Sequence, residues 1–286
     1  MKNADRNKYS LAVIISNYNK SGYLRECLNS VLQQTLLPDE IIVVDDCSTD
    51  DSREIISEYA GKYNIIRLLF LEKNGGVSNA RNMGLKEAGT AYVTFIDSDD
   101  FYYNKDKLEN EMRLIKKYSA MGRDILSYSV SPRTDADGVL LPKERKRKWG
   151  RLQFITGKSF MMMVSMAKRY RLPRDYCIKK EVLLAVGAYS FYKDFYEDMD
   201  LLMRIAESGT EFYCTYEYGS VYRQTGTGLS NRKDEENKNT LREIRQEYYL
   251  RLSAQEKIEC TILFTAGKIR RFIKKQIAGF PGQKTE

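Results

Sequence analysis

The stretch Tyr92-Val93-Thr94-Phe95-Ile96-Asp97-Ser98-Asp99-Asp100 decides how this chain is built. An apolar run of β-forming residues ends in three carboxylates within four positions. α/β sheets bind ligands beyond the carboxyl ends of their strands, so a buried strand that discharges acids there delivers them to a site. Asp97 and Asp99 alternate, and an extended backbone would project both to one side. Two hard oxygen donors so placed suit Mg²⁺ or Mn²⁺ held jointly with a substrate phosphate. The plainer alternative is that Asp100 caps the next helix and its neighbours are solvated loop acids.

A second acidic strand end lies upstream. Glu40-Ile41-Ile42-Val43-Val44-Asp45-Asp46 is too short and too β-branched for a helix. The following Cys47-Ser48-Thr49-Asp50-Asp51-Ser52 is rich in turn formers and helix caps. Capping accounts for Asp50 or Asp51 ahead of the Ile55, Ile56, Tyr59 face. It does not account for Asp45-Asp46, which reads as a ligand contact.

Working outward, Leu11–Ile15 reads as the first strand, and Tyr23, Leu24, Cys27, Leu28, Val31 and Leu32 recur at helical spacing. Ser52–Lys62 reads as a helix and Ile65–Leu71 as a third strand. Gly75-Gly76-Val77-Ser78 then turns into a helix through Lys86, with Ser78 as its N-cap. Tyr92–Ile96 is the fourth strand. Strands alternating with helices imply parallel pairing through right-handed crossovers. The expected fold class is therefore α/β, with parallel pairing over the first hundred residues. Beyond residue 124 the pattern is mixed, with a strand at Ile125–Val130 and helical segments near 157–168 and 179–186. The last fifty residues read as two helices. No Pro, Gly and Ser-rich linker interrupts the chain, so one main domain over residues 1–232 is followed by a C-terminal helical extension over 233–286.

Composition works by exclusion. The 286 residues contain no histidine. That removes Ser-His-Asp and Cys-His catalysis, HExxH zinc sites and imidazole bases, and leaves proton chemistry to carboxylates, Lys, Tyr and Cys. Five cysteines without a CxxC pair read as free thiols of a reducing cytosol. No 18-residue apolar run predicts a membrane span, and the N-terminus lacks a secretory apolar segment. The net charge of +8 is concentrated in residues 143–151 and 268–284, each with six basic groups. Such runs are usually solvated faces; nucleic acid and anionic lipid are the functional alternatives.

Two further clusters need weighing. The Asn74–Arg81 turn offers glycines for close backbone approach and helix N–H groups for an anion, although it is not a GxxxxGK[ST] loop. Arg81, one turn in, is either a pyrophosphate contact or a surface arginine. Downstream, Asp194, Glu197, Asp198 and Asp200 precede the helical pattern of Leu201, Leu202, Ile205 and Ala206. Acids in a first turn complement the helix dipole, yet four in seven residues exceed what capping needs. With histidine absent, a carboxylate is the ordinary general base left near neutral pH.

Taken in order, these segments resemble the family 2 glycosyltransferases. The resemblance rests on Ser16-Asn17-Tyr18-Asn19, Glu26–Thr35, Ile42–Asp50, Asn74–Leu85, Phe95–Asp100 and the downstream Tyr196-Glu197-Asp198-Met199-Asp200, over roughly residues 10 to 230. It implies a glycosyltransferase type-A fold, a mixed, mostly parallel α/β sheet of nucleotide-binding type, with a donor half at about 10–131 and an acceptor half at about 132–232. The implied activity is inverting transfer of a hexose-type sugar from a nucleotide-diphosphate donor, UDP in particular, to a glycan or lipid-linked acceptor in cell-surface polysaccharide synthesis.

By the same resemblance, Ser16 and Tyr18 line the base pocket and Asp46 accepts a hydrogen bond from uracil N3–H. Arg81 contacts the phosphate or ribose side, Asp97 lies near the ribose, and Asp99 binds the divalent metal, Mn²⁺ or Mg²⁺. Asp198 is the catalytic base, with Glu197 as its positioning neighbour. Many relatives carry a histidine where this chain has Tyr222–Ser230, and Arg223 or Arg232 is the candidate to take over its charge work. The segment Ile258–Phe280 reads as a basic amphipathic helix suited to an anionic membrane surface, or packed on the domain, which would make the protein cytoplasmic and peripheral. The competing classes are an Asp-x-Asp metal-dependent phosphohydrolase and a basic nucleic-acid-binding protein. The first wants its motif on an early strand, whereas three strands precede this one; the second explains only the charge.

Overall fold

The computed structural model describes residues 8–145, 154–155, 173–190, 196–225 and 235–258. Its first hundred residues build a parallel sheet outward from β1 (Leu11–Asn17). β2 (Glu40–Asp45) and β4 (Tyr92–Asp97) pair parallel on either side of it, and β3 (Ile66–Phe70) adds outside β2. β1 is buried along its whole length, and a strand buried on both faces reads as a continuous apolar run. Because successive side chains alternate faces, Ala12, Ile14, Ile42 and Val44 enter one core, while Val13, Ile15, Ile41 and Val43 enter the other.

Helices α1 (Ser21–Leu32), α2 (Ser52–Lys62) and α4 (Lys107–Ser119) cover the second face through Leu24, Leu28, Ile56, Leu108 and Met112. α3 (Gly76–Glu87) covers the first with Ala80 and Leu85. Its Gly84 lies so close to the sheet that an added Cβ would meet Ile14 Cγ2 at 2.4 Å and Val44 Cγ2 at 3.1 Å. A side chain there would push α3, and with it Arg81, off the sheet.

The remaining elements are β5 (Ile125–Val130), β6 (Arg133–Thr134), α5 (Pro142–Arg145), β7 (Phe154–Ile155), β8 (Tyr176–Lys179), α6 (Lys180–Ala185), α7 (Glu197–Glu207), β9 (Glu211–Tyr218), β10 (Tyr222–Arg223) and α8 (Glu235–Arg251). The main sheet runs β3-β2-β1-β4-β8-β5-β9-β7. β8 is antiparallel to both β4 and β5, β9 is parallel to β5, and β7 is antiparallel to β9. This is the expected mixed α/β fold. The chain leaves β1 toward β2 on one side and returns to β4 on the other, so the strand order reverses beside β1. That reversal opens the crevice where α/β sheets take ligands.

Local readings differ in two places. Ser78 is not the cap of α3; the helix starts two residues earlier, and the N–H groups of Gly75 and Gly76 donate to Asp46 at 2.8 and 2.7 Å. A carboxylate from the neighbouring strand end does the capping, so no signal within the helix could reveal it. Asp50, in contrast, serves two helix starts, accepting from Ser52 N at 3.1 Å and from Ser21 N at 2.9 Å.

The helix expected past residue 232 is present as α8, and its Ile244 and Tyr248 share a core with α3 and α7. The segments 157–168 and 259–286, which hold the expected helix and most of the basic tail, lie outside the described residues. Among those described, Cys27, Cys47, Cys177 and Cys214 are free thiols, and no helix is long and apolar enough to cross a membrane.

Candidate active site

Parallel register fixes the floor of the crevice. Ser16 sits opposite Asp97, and Asn17 opposite Asp45, at the carboxyl ends of three adjacent strands. The two acids of the β2 end have separate tasks. Asp45 is fully buried and accepts from Asn17 Nδ2 at 2.8 Å, Ser48 N at 3.0 Å and Arg53 Nε at 2.9 Å. Burial works against its ionisation, but these donors prevail and hold its carboxyl below the usual range. The expectation that Asp45 contacts a ligand is therefore corrected: it ties the end of β1, the loop after β2 and the start of α2 together.

Asp46 spends one lone pair of each oxygen on the Gly75-Gly76 turn, where Gly76 takes a φ of +82°. A carboxylate has about four acceptor positions, so further hydrogen bonds remain open to it. Tyr18 stands 46% exposed beyond the strand end, a free aromatic face beside this turn's anchor.

The central feature is Arg81. Its Nη2 donates to Asp97 Oδ1 at 2.7 Å, and its Nη1 donates to Asp198 Oδ1 at 2.8 Å and Glu197 Oε1 at 3.3 Å. The guanidinium lies 5.1 Å over the Tyr189 ring, and Asn82 fixes Tyr189 by accepting its N–H and donating to its carbonyl. One planar fork thus joins acids that are a hundred residues apart in the chain. Asp97 also accepts from Ser16 Oγ at 3.0 Å and from Arg174 Nη2 at 3.0 Å. Burial would raise its pKa, yet Arg81 and Arg174 hold it down at about 2.

Asp99 behaves differently. The strand ends at Asp97, and the Asp100 N–H bonds back to the Asp97 carbonyl at 2.9 Å, so Asp99 sits in a turn. The alternation expected to send Asp97 and Asp99 to one side does not apply. Asp99 instead pairs with Lys20 Nζ at 2.7 Å. Asp100 is buried, accepts the Arg223 N–H at 2.8 Å, and is no helix cap, since α4 starts at Lys107. Burial pushes its carboxyl well above the ordinary range, with Arg174 opposing.

Arg223 is equally committed. It donates to the carbonyls of Asp99 and Ala136 at 2.8 and 2.7 Å, pairs with Glu26, and lies against the rings of Tyr23 and Phe101. It fastens the loop after β4 and is not free to replace the missing histidine. Arg232 lies outside the described residues.

Across the crevice, α7 presents Glu197 and Asp198 from its first turn. Tyr196 before them adopts φ +66°, a left-handed conformation that is uncommon for a bulky residue and turns the chain sharply into the helix. Burial and the neighbouring Asp198 raise the Glu197 carboxyl to about 7, against the pull of Arg81. Asp200, expected among the acids of the site, points away: Ser190, Arg204 and Tyr248 of α8 hold it as an anchor for α7. Asp194 lies outside the described residues.

Among the described residues both Asp97 oxygens are taken, so of the Asp97 and Asp99 pair Asp99 is the one left to a divalent cation. Among the described residues no group of three or more Cys, Asp or Glu gathers as a metal cage. That donor set fits a hard cation of the Mg²⁺ kind, which takes one or two carboxylates and completes its shell with water and substrate phosphate.

Sequence reasoning missed Arg174 and Lys20. Arg174 also stacks 4.1 Å over Tyr222, and its segment carries no motif. Lys20 follows directly on Asn19, whose φ of +52° marks the turn that aims the lysine across the strand ends.

The profile described as Glycosyl transferase family 2 matches residues 12–171. Over 229 residues the chain is 31% identical to the poly(ribitol-phosphate) beta-N-acetylglucosaminyltransferase TarS of Staphylococcus aureus (strain MW2), covering 67% of this chain and 39% of TarS. It is 43% identical over 111 residues to glycosyltransferase GlyA of Streptococcus pneumoniae serotype 4, covering 38% of this chain and 16% of GlyA. The chain thus matches well under half the length of these curated relatives. The crystal structure of S. aureus TarS 1-349 in complex with UDP-GlcNAc superposes with a TM-score of 0.68 at 22% identity, over 90% of this chain and 71% of that one.

Proposed function

Because the chain belongs to glycosyl transferase family 2, we propose that it transfers a hexose-type sugar from a UDP donor to a hydroxyl of a glycan or lipid-linked acceptor, with inversion at the anomeric carbon. The observation that carries this reading is the Arg81 fork. It brings the acids of a nucleotide-type strand end to within one side chain of the downstream Glu197-Asp198 pair. The solved TarS complexes with UDP and UDP-GlcNAc support the choice of nucleotide, and the poly(ribitol-phosphate) in the name of TarS supports a polymeric acceptor.

In this reading Tyr18 and Ser16 flank the base, and Asp46 offers N3–H its spare lone pair. The acceptor hydroxyl forms its bond to the anomeric carbon from one face as the bond to the diphosphate oxygen breaks on the other. The electron pair leaves with the nucleoside diphosphate, and the hydroxyl proton passes to Asp198. Arg81 and Arg174 hold Asp97 ionised and fixed. A divalent cation on Asp99 supplies electrostatic stabilisation of the leaving diphosphate when bound. An attacking carboxylate of the phosphohydrolase kind would need Asp97 unpaired, and both its oxygens are engaged. Residues 259–286 supply the basic segment proposed to meet an anionic membrane surface.

The overall test is a panel of nucleotide sugars scored for binding and slow hydrolysis, with and without divalent metal. Selective turnover of UDP-sugars supports the reading; equal indifference to all of them overturns it. Asp99→Asn is expected to keep the fold and lose most metal-dependent turnover, because a hard ligand becomes a poor neutral one. Full Mn²⁺-dependent activity in that variant would remove Asp99 from the role.

Base recognition needs a cleaner probe than mutation. Asp46→Ala removes the cap of α3 and should itself cost about 0.5–2 kcal/mol of stability. Affinity of the parent enzyme for UDP against N3-methyl-UDP isolates the contact, and equal affinities would count against it.

The pH profile follows from Glu197. Burial and the neighbouring Asp198 lift the Glu197 carboxyl to about 7, so its proton exchanges in the neutral range. Its ionisation adds negative charge beside Asp198 and strengthens that base. kcat/KM should therefore rise with pH through about 7, and Glu197→Gln should remove this limb. An unchanged limb in the variant assigns it to another group.

A further inference from the structure

We infer that Lys20 is the built-in counter-ion of Asp99, closing the candidate cation site until a nucleoside diphosphate draws the lysine away. The inference rests on the proposed role of Asp99. Asp97 is held by two arginines that lie against the rings of Tyr189 and Tyr222. Asp99 is held by a lysine, at 2.7 Å, with both side chains about one-fifth exposed. No ring and no second carboxylate fixes Lys20 among the described residues. Its four-carbon stem can swing, whereas the stacked guanidiniums cannot without losing their rings.

Lys20 is also the N-cap of α1, its carbonyl accepting from Tyr23 N at 2.9 Å and Leu24 N at 3.0 Å. The backbone position of the ammonium is thereby set at the strand ends while its side chain stays adjustable. Lys20 occupies Asp99 Oδ2, so a bare divalent cation on the same carboxylate must either displace the ammonium or bind beside its positive charge, and neither is compensated. A diphosphate changes the balance by offering the ammonium new oxygens and the cation new ligands at once. Metal binding then becomes contingent on nucleotide, and Lys20 becomes a positioning residue for the diphosphate.

The experiment measures Mn²⁺ binding to nucleotide-free protein by electron paramagnetic resonance, in the parent, Lys20→Met, Lys20→Arg, Asp99→Asn and the Lys20→Met/Asp99→Asn double variant. UDP affinity in EDTA is measured alongside. Lys20→Met should bind Mn²⁺ about tenfold tighter than the parent, a gain absent from Lys20→Arg and from the double variant. In EDTA it should bind UDP several-fold more weakly, having lost the ammonium. Unchanged Mn²⁺ affinity in Lys20→Met, or a gain that survives in the double variant, overturns the inference. If Asp99→Asn still loses UDP-dependent Mn²⁺ binding in that case, the Asp99 assignment stands alone. If Asp99→Asn keeps UDP-dependent Mn²⁺ binding, the Asp99 assignment itself falls, and the inference falls with it. Melting temperatures of all variants exclude misfolding, and Lys20→Gln replaces Lys20→Met should the latter melt early.

Discussion

Asp198→Asn is expected to depress sugar transfer by about 10²–10⁴-fold, the usual cost of losing a general base, while donor affinity changes little. The amide keeps the shape of the side chain but cannot accept a proton, and the base faces the acceptor in the proposed geometry. Its 2.8 Å ion pair with Arg81 weakens to a neutral hydrogen bond, so a modest loss of stability accompanies the kinetic one. Glu197→Gln should cost less, because Glu197 stands farther from the guanidinium, at 3.3 Å, and acts through its neighbour. Steady-state transfer and donor titration on both variants decide the ranking. Were Glu197→Gln the more damaging with both proteins folded, the base would move to Glu197.

Removal of the shared cation should be comparably severe. Arg81→Met leaves Asp198 and Glu197 without their cation and Asp97 with Arg174 alone, and losing hydrogen bonds to charged groups costs about 1.5–3 kcal/mol each. The carboxylates would share protons, and nucleotide affinity and transfer should fall together. Arg81→Lys should not rescue them, since one ammonium cannot donate to Asp97 and Asp198 along the two arms of a planar fork. Urea unfolding and donor binding measure both effects. A lysine variant with parental stability and transfer would show that simple charge balance suffices there.

Much of the donor side was legible because parallel strands announce themselves. Val13 and Ile15 face one core and Ile14 the other, so Leu11–Ile15 has to be apolar, and the acids at its neighbours' ends stand out against that run. Asp97, Asp99 and the Glu197-Asp198 pair were visible as exceptions to burial and capping. Tasks were less visible than positions. Asp45 and Asp46 look alike in sequence, yet one ties Asn17, Ser48 and Arg53 together while the other caps α3. Arg174 had no local signal at all.

What the sequence determined by itself was the alternation of strands and helices, the parallel pairing it implies, and the kind of chemistry left to a chain without histidine. These follow from local periodicity and from residue types, which need no partner to be read. Tertiary structure alone decided which acid meets which cation. Arg81 reaches Glu197 and Asp198 across more than a hundred residues, and Lys20 reaches Asp99 across the strand ends. The energy of such a pair depends on distance and burial in space, and neither is a property of the neighbouring sequence.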